Sequence, residues 1–124
     1  DTNTIQLAVN TATTVTSLSG DVQPIFDMND NCTLGCHTTG MVLASLDLAD
    51  GMSFGELVNV NSIQCSPARK LVTPGDVFAS YLINKLTGIN MCNGSSLMPF
   101  GAIALAADDI QIIKNWIWDG ALDN

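Results

Sequence analysis

One short segment constrains this chain more than any other: Asn31-Cys32-Thr33-Leu34-Gly35-Cys36-His37. It separates two thiols by a spacer of three residues and sets the only histidine of the chain directly after the second thiol. Gly35 lies in the spacer, where a residue without a side chain tolerates the strained backbone that such a loop requires. The fold must therefore bring two sulfurs and one imidazole close together and leave a cavity next to them for a group that all three side chains can bind.

Two thiols followed at once by an imidazole form the set of side chains that binds a haem covalently. The thiols of Cys32 and Cys36 would add to the two vinyl groups, and His37 would reach the iron from the same side. Cysteines that hold a haem in this way usually have two residues between them, whereas this chain has three. We therefore predict one covalent haem c, with Cys32, Cys36 and His37 as binding residues and His37 on the iron.

The second iron ligand has to come from another residue type, because His37 is the only histidine. The chain has five methionines, and a buried methionine is more often a filler of the core than a ligand. Met98 differs from the others because it follows a polar Asn-Gly-Ser-Ser stretch and precedes Pro99 in a rigid, extended context. It also lies 61 positions after His37, which is enough chain to return to the other face of a haem. We predict Met98 as the second iron ligand.

Charge excludes several classes of partner. Twelve acidic and four basic residues give a formal charge of −8, whereas nucleic acids and anionic membranes bind clustered Lys and Arg. No apolar run reaches the ~18 residues of a membrane span. The chain starts without a basic and apolar leader, which fits a processed exported protein and a cytosolic protein equally. The acidic surface is expected to favour redox partner proteins with basic surfaces.

Apolar periodicity predicts an all-α domain with long loops over residues 21–124. Ser53 and Glu56 match a capping box. One predicted helix has an apolar stripe that includes Phe78, Tyr81 and Leu82, and the last helix has a stripe around Trp116. The rings of Tyr81 and Trp116 are predicted to be core. The predicted helices cover Val22–Asn29, Phe54–Val58, Val77–Thr87 and Ala107–Asp119.

Residues 1–20 differ from the rest in composition. They are rich in Thr, and Ile5, Leu7, Val9 and Val15 share one parity, which predicts an extended strand with one apolar face. The arm is either a tether or a strand that pairs with a neighbouring subunit. The second alternative would make the chain a structural subunit of a multi-subunit or filamentous cytochrome assembly, as a homo-oligomer.

Two further pairs have chemical alternatives. Three alternatives are open for Cys65 and Cys92: a disulfide, two free thiols or a pair of metal ligands. We favour the disulfide because haem attachment implies an oxidising compartment. Arg69 and Lys70 are adjacent cations that form either a solvated pair or a partner for a haem propionate. We predict Arg69 as the haem-binding member. A zinc- or disulfide-stabilised domain without haem is the remaining alternative.

The chain resembles a class I, single-haem cytochrome c domain of bacterial exported proteins, over residues 21–122. The resemblance implies a cytochrome c-like helical fold, His/Met ligation by His37 and Met98, and single-electron transfer through an exposed haem edge rather than catalysis. It also implies a periplasmic or extracellular location. Two departures are the three-residue cysteine spacer and Ala106, where the family often has a helix-capping Ser. The matching segments are Val22–Phe26 before the Cys-His segment, Ser45–Leu48, Val72–Asp76, Ser80–Leu82, Leu97–Pro99 and Leu105–Ala121.

Overall fold

The computed structural model describes a mostly helical chain in residues 15–28, 32–33, 36–38, 41–42, 46–92, 94–99 and 104–124. A π-helical turn, Leu18–Val22, leads into helix α1, Gln23–Asp27. Three more helices follow: α2 is Ser53–Leu57, α3 is Tyr81–Thr87, and α4 is Ala107–Trp118. In the described part of the chain, the strands β1 (His37–Thr38) and β2 (Met41–Val42) pair antiparallel, with His37 opposite Val42.

Helix α4 forms the centre of the core, as its apolar periodicity predicts. Ile113, Trp116 and Ile117 are fully buried and belong to the same cluster as Val22 and Phe26 from the start of the domain. The Trp116 indole Nε1 donates a hydrogen bond to the carbonyl of Leu122 at 2.9 Å, so the polar edge of this ring is also satisfied. The prediction that Trp116 and Tyr81 are core residues is confirmed, since both are 0% exposed.

The last residues of the predicted arm, 15–20, contact the end of the domain. Leu18 is buried, and its backbone N–H donates to Asn124 Oδ1 at 2.9 Å. The N–H of Thr16 donates to Asp119 Oδ2 at 3.0 Å, which joins the start of the domain to the end of α4. The predicted strand in residues 1–14 lies outside the described residues.

Helix α3 begins four residues later than predicted. Residues 77–80 instead form a turn, in which Asp76 Oδ1 accepts from the Ala79 N–H at 3.1 Å and Ser80 Oγ accepts from the Thr73 N–H at 2.9 Å. These side-chain bonds satisfy backbone donors within a turn before the helix begins. Phe78 is consequently 74% exposed, so the prediction that it faces the core is wrong.

The predicted capping box in α2 is also wrong. Ser53 is the first helical residue rather than the cap, and its buried hydroxyl donates to Gln23 Oε1 at 2.7 Å. Glu56 accepts a hydrogen bond from the Asp47 N–H at 3.0 Å. Both polar side chains therefore connect α2 to other segments instead of closing its own first turn.

Candidate functional site

An apolar cavity that is open to solvent lies beside α3. Cofactor and ligand sites are typically concave and mostly apolar, as this cavity is. Cys32, His37 and Met98 all line it, although they are far apart in sequence. Most of the remaining wall is aliphatic: Leu46, Leu48, Val60, Leu71, Leu82 and Leu86.

The backbone around His37 fixes its imidazole at the cavity wall. The His37 N–H donates to the Cys32 carbonyl at 2.9 Å, and the His37 carbonyl accepts from the Leu48 N–H at 2.8 Å. The ring atom Nδ1 lies 3.2 Å from the carbonyl oxygen of Leu46. Because a carbonyl only accepts, this bond puts the proton on Nδ1 and leaves Nε2 with its lone pair in the neutral ring. A metal-binding histidine is typically oriented by a bond of this kind.

The two cysteines of the segment lie in different environments. Cys32 is buried in the cavity wall, and its N–H donates to the Phe26 carbonyl at 3.0 Å. Burial, followed by the nearby Asp27 and Cys36, raises the pKa of the Cys32 thiol to about 12, so the thiol is protonated at neutral pH. Cys36 is a free, exposed thiol and is not part of the described wall.

Met98 is held against α3 on the wall of the same cavity. Its backbone N–H donates to the carbonyl of Lys85 at 2.9 Å, and its half-buried side chain packs against the hydrophobic core. Met28 and Met52 are each 47% exposed, and Met91 is half-buried outside the wall. Among the methionines whose side chains are described, Met98 is thus the one in the cavity wall.

Arg69 lies outside the described wall, and its guanidinium already has partners. Its Nη2 donates to Asn84 Oδ1 at 2.7 Å and its Nη1 to the Asn90 carbonyl at 2.8 Å. The guanidinium carbon also lies 4.6 Å from the centre of the Tyr81 ring, a cation–π distance. Lys70 is exposed and donates to Asn59 Oδ1 at 3.2 Å. Propionate binding by Arg69 therefore stays a prediction.

Lys85 is a cavity residue that the sequence reasoning missed. It lines the cavity at only 7% exposure, and its Nζ has no hydrogen-bond partner in the described residues. Burial lowers the pKa of this ammonium, and the adjacent Tyr81 acts in the opposite direction. The signal was present in the spacing, because Lys85 follows Tyr81 by four and Leu82 by three residues and so shares their buried helix face.

A disulfide connects Cys65 and Cys92, the pair favoured from the sequence, with their Cα atoms 5.3 Å apart. The N–H of Cys92 donates to the Tyr81 hydroxyl oxygen at 3.0 Å. Ser95 Oγ lies 2.9 Å from the same hydroxyl and donates to the Cys92 carbonyl at 2.7 Å. These bonds attach the segment that leads to Met98 to a fully buried residue of the cavity wall.

Searches for other kinds of site and for similar proteins gave negative results. Within the described ranges, no three His, Cys, Asp or Glu side chains are grouped so that they could hold a metal ion. None of the helices in those ranges has the length and apolar character to cross a membrane. Comparisons of the chain with protein-family models, curated proteins and solved structures found no match.

Proposed function

We propose that this protein is a single-electron carrier with one covalent c-type haem in the cavity beside α3. The observation that supports the proposal is the convergence of Cys32, His37 and Met98 on one apolar wall. A thiol, an imidazole and a thioether are the side chains that a c-type haem with His/Met ligation requires. The iron of such a haem would take up and release one electron at a time.

The side chains of the cavity fit the chemistry of attachment. The sulfurs of Cys32 and Cys36 would each bond to one carbon of a vinyl group, while the thiol hydrogen goes to the other carbon. No atom is lost, and no external oxidant or reductant is consumed. The His37 Nε2 lone pair and the Met98 sulfur would bind the iron, and the Leu46 carbonyl keeps the imidazole oriented.

Electron transfer is a better match to this site than catalysis. With both His37 and Met98 as ligands, the iron would have no open position for a small-molecule substrate. The wall is mostly aliphatic, and its one carboxylate, that of Glu56 among the described residues, accepts the Asp47 N–H. The Cys65–Cys92 disulfide also supports an exported protein, periplasmic or extracellular, because disulfides persist in oxidising compartments.

Absorption and mass spectra of the protein, prepared in a host that attaches c-type haem, test the proposal. The reduced protein is expected to show the sharp visible bands of a c-type haem. After acid–acetone extraction, the intact mass should exceed that of the polypeptide by one whole haem. Cys32→Ala or Cys36→Ala should leave one thioether, and the double variant none. A colourless wild-type protein with the bare polypeptide mass would refute the proposal.

The assembly alternative concerns residues 1–20, of which residues 1–14 lie outside the described residues. It would not replace the haem site, since a subunit of a conducting assembly also needs a haem in each copy. The role of this arm therefore stays a prediction that solution measurements must test.

A further inference from the structure

The ammonium of Lys85 is buried and has no hydrogen-bond partner among the described residues. Less than 1 Å² of its Nζ is accessible, and no described group accepts a hydrogen bond from it. An ammonium removed from water without a partner is strongly destabilising, and lysines are almost never fully buried unless paired. A cation retained here therefore implies an acceptor other than the described residues.

The neighbouring acidic and basic groups do not provide that acceptor. Glu56 is the carboxylate in the described cavity wall, and its Oε1 accepts from the Asp47 N–H. Arg69 cannot accept a hydrogen bond, because a guanidinium has only donors, and it donates to Asn84 and Asn90. The acceptor for Lys85 is thus expected on the group that fills the cavity.

We infer that the Lys85 ammonium binds one propionate carboxylate of the haem, an inference that rests on the proposed function. Charge-assisted bonds between an ammonium and a carboxylate are short and strong, and they satisfy both groups when both are shielded from water. The flexible four-carbon stem of Lys85 allows the ammonium to turn toward the cavity that its own side chain lines. Arg69 is left as the predicted partner of the second propionate.

The position of Lys85 links this charge to the iron site. Its carbonyl accepts the N–H of Met98 at 2.9 Å, so the cation and the proposed iron ligand are joined through one backbone bond. A positive charge beside the haem disfavours the more positive, oxidised iron. Lys85 should therefore raise the reduction potential, by an effect that a distant surface lysine does not produce.

The test compares the haem-loaded variants Lys85→Met, Lys85→Arg and Lys70→Met. Lys85→Met should lower the reduction potential and shift the propionate deformation bands in the resonance Raman spectrum. Lys85→Arg keeps the positive charge, so its reduction potential and its propionate bands should be close to those of the wild-type protein. Lys70→Met removes the same charge from an exposed residue and should change neither. Equal potentials and bands in Lys85→Met and Lys70→Met would overturn the inference.

A measurement on the wild-type protein avoids dependence on any variant that fails to fold. In the reduced, diamagnetic state, nuclear Overhauser contacts are expected between the Lys85 ε-methylene protons and propionate methylene protons. Their absence from an otherwise assigned haem pocket would overturn the inference and leave the proposed function intact. A wild-type chain that binds no haem would overturn both.

Discussion

The two sides of this small domain are packed in opposite ways. Around α4, Ile113, Trp116 and Ile117 have no exposed surface, and the Trp116 indole is hydrogen-bonded. Beside α3, Leu82 and Leu86 belong to the same hydrophobic cluster but also line a cavity that is open to solvent. Protein interiors are normally packed as densely as organic crystals. A chain that packs so closely at one side supports the view that the space at the other is kept for an occupant.

Polar groups show the same contrast. Arg69 is exposed in part and has four partners: Asn84, Asn90, the sulfur of Cys92 and the ring of Tyr81. Lys85 is more buried and has no hydrogen-bond partner among the described residues. In the described part of the chain, the cavity wall thus contains a strong donor without an acceptor, which is expected when the acceptor belongs to a bound group.

The largest functional effect is expected from Met98→Ala, which would remove an iron ligand and leave the covalent haem in place. Methionine ligation raises the potential of a haem relative to bis-histidine ligation. The variant should therefore have a lower reduction potential and lose the weak charge-transfer band at the red end of the oxidised spectrum. Redox titration followed by absorption measures both.

The matched control for that prediction is Met91→Ala, because Met91 is half-buried and lies outside the cavity wall. It should keep the red band and a potential close to that of wild type. Loss of the band in Met91→Ala, with retention in Met98→Ala, would reverse the ligand assignment.

The next largest effect is on stability and compares the two sides directly. Trp116→Ala should cost about 3 to 5 kcal/mol of unfolding free energy, because it opens a new cavity in a closed core. Leu82→Ala should reduce the unfolding free energy less in a haem-free Cys32→Ala/Cys36→Ala chain than in the haem-loaded protein. The reason is that Leu82 faces the cavity, where it would contact the haem only when the haem is bound. Urea unfolding of both forms measures this. Equal costs of Leu82→Ala in the two forms would mean that the cavity is not filled by the haem.

Loss of the disulfide should have an intermediate effect. Cys65 and Cys92 lie 27 positions apart, and opening a loop of this length costs about 3 kcal/mol in the chain-entropy model. The Cys65→Ser/Cys92→Ser variant should therefore unfold at lower urea concentration and lose the red band of Met98 ligation before the rest of the fold. Wild-type protein in reductant is the control for the urea midpoint alone, because a reductant also reduces the iron and removes the band of the oxidised state. Unchanged unfolding would show that packing alone holds this wall.

The sequence predicted best where one periodic signal dominated. The buried stripe of α4 and the αL glycine after α3, Gly88 with φ 77°, both follow from local rules that nothing else in the fold opposes. The prediction failed at Ser53, whose hydroxyl bonds to Gln23, 30 residues earlier in the chain, instead of its own helix. Tertiary partners of this kind have no signature in local spacing.

The site was predictable in part for the same reason. Cys32 and His37 lie in one short motif, and Met98 directly precedes a proline. Each of these residues could therefore be selected from the sequence alone. Lys85 was missed because a lysine on a short helix is normally solvated, and its spacing from Tyr81 and Leu82 indicates a shared helix face without showing that the ammonium is buried. Its missing partner, in turn, can be recognised only when all neighbouring acceptors are known.

A smaller gain of stability is expected from Ala106→Ser. Ala106 is the N-cap of α4, has extended backbone angles (φ −62°, ψ 148°) and makes no side-chain capping bond. A serine there would accept a hydrogen bond from a free N–H in the first turn and should add about 1 kcal/mol. Ala104→Ser, two residues earlier and equally exposed, is the control and should be neutral. Similar unfolding midpoints for the two variants would contradict the cap assignment.

The smallest effect on the haem domain is expected from removal of residues 1–14. The cut has to fall before residue 15, because Thr16 and Leu18 bond to the C-terminal residues Asp119 and Asn124. The shortened chain should keep the absorption spectrum and the urea midpoint of the full chain. Light scattering then separates the two roles of the arm. A tether predicts monomers for both chains, whereas an assembly strand, which needs a partner for its unpaired edge, predicts that only the full chain associates. Association of the shortened chain would exclude the arm as the interface.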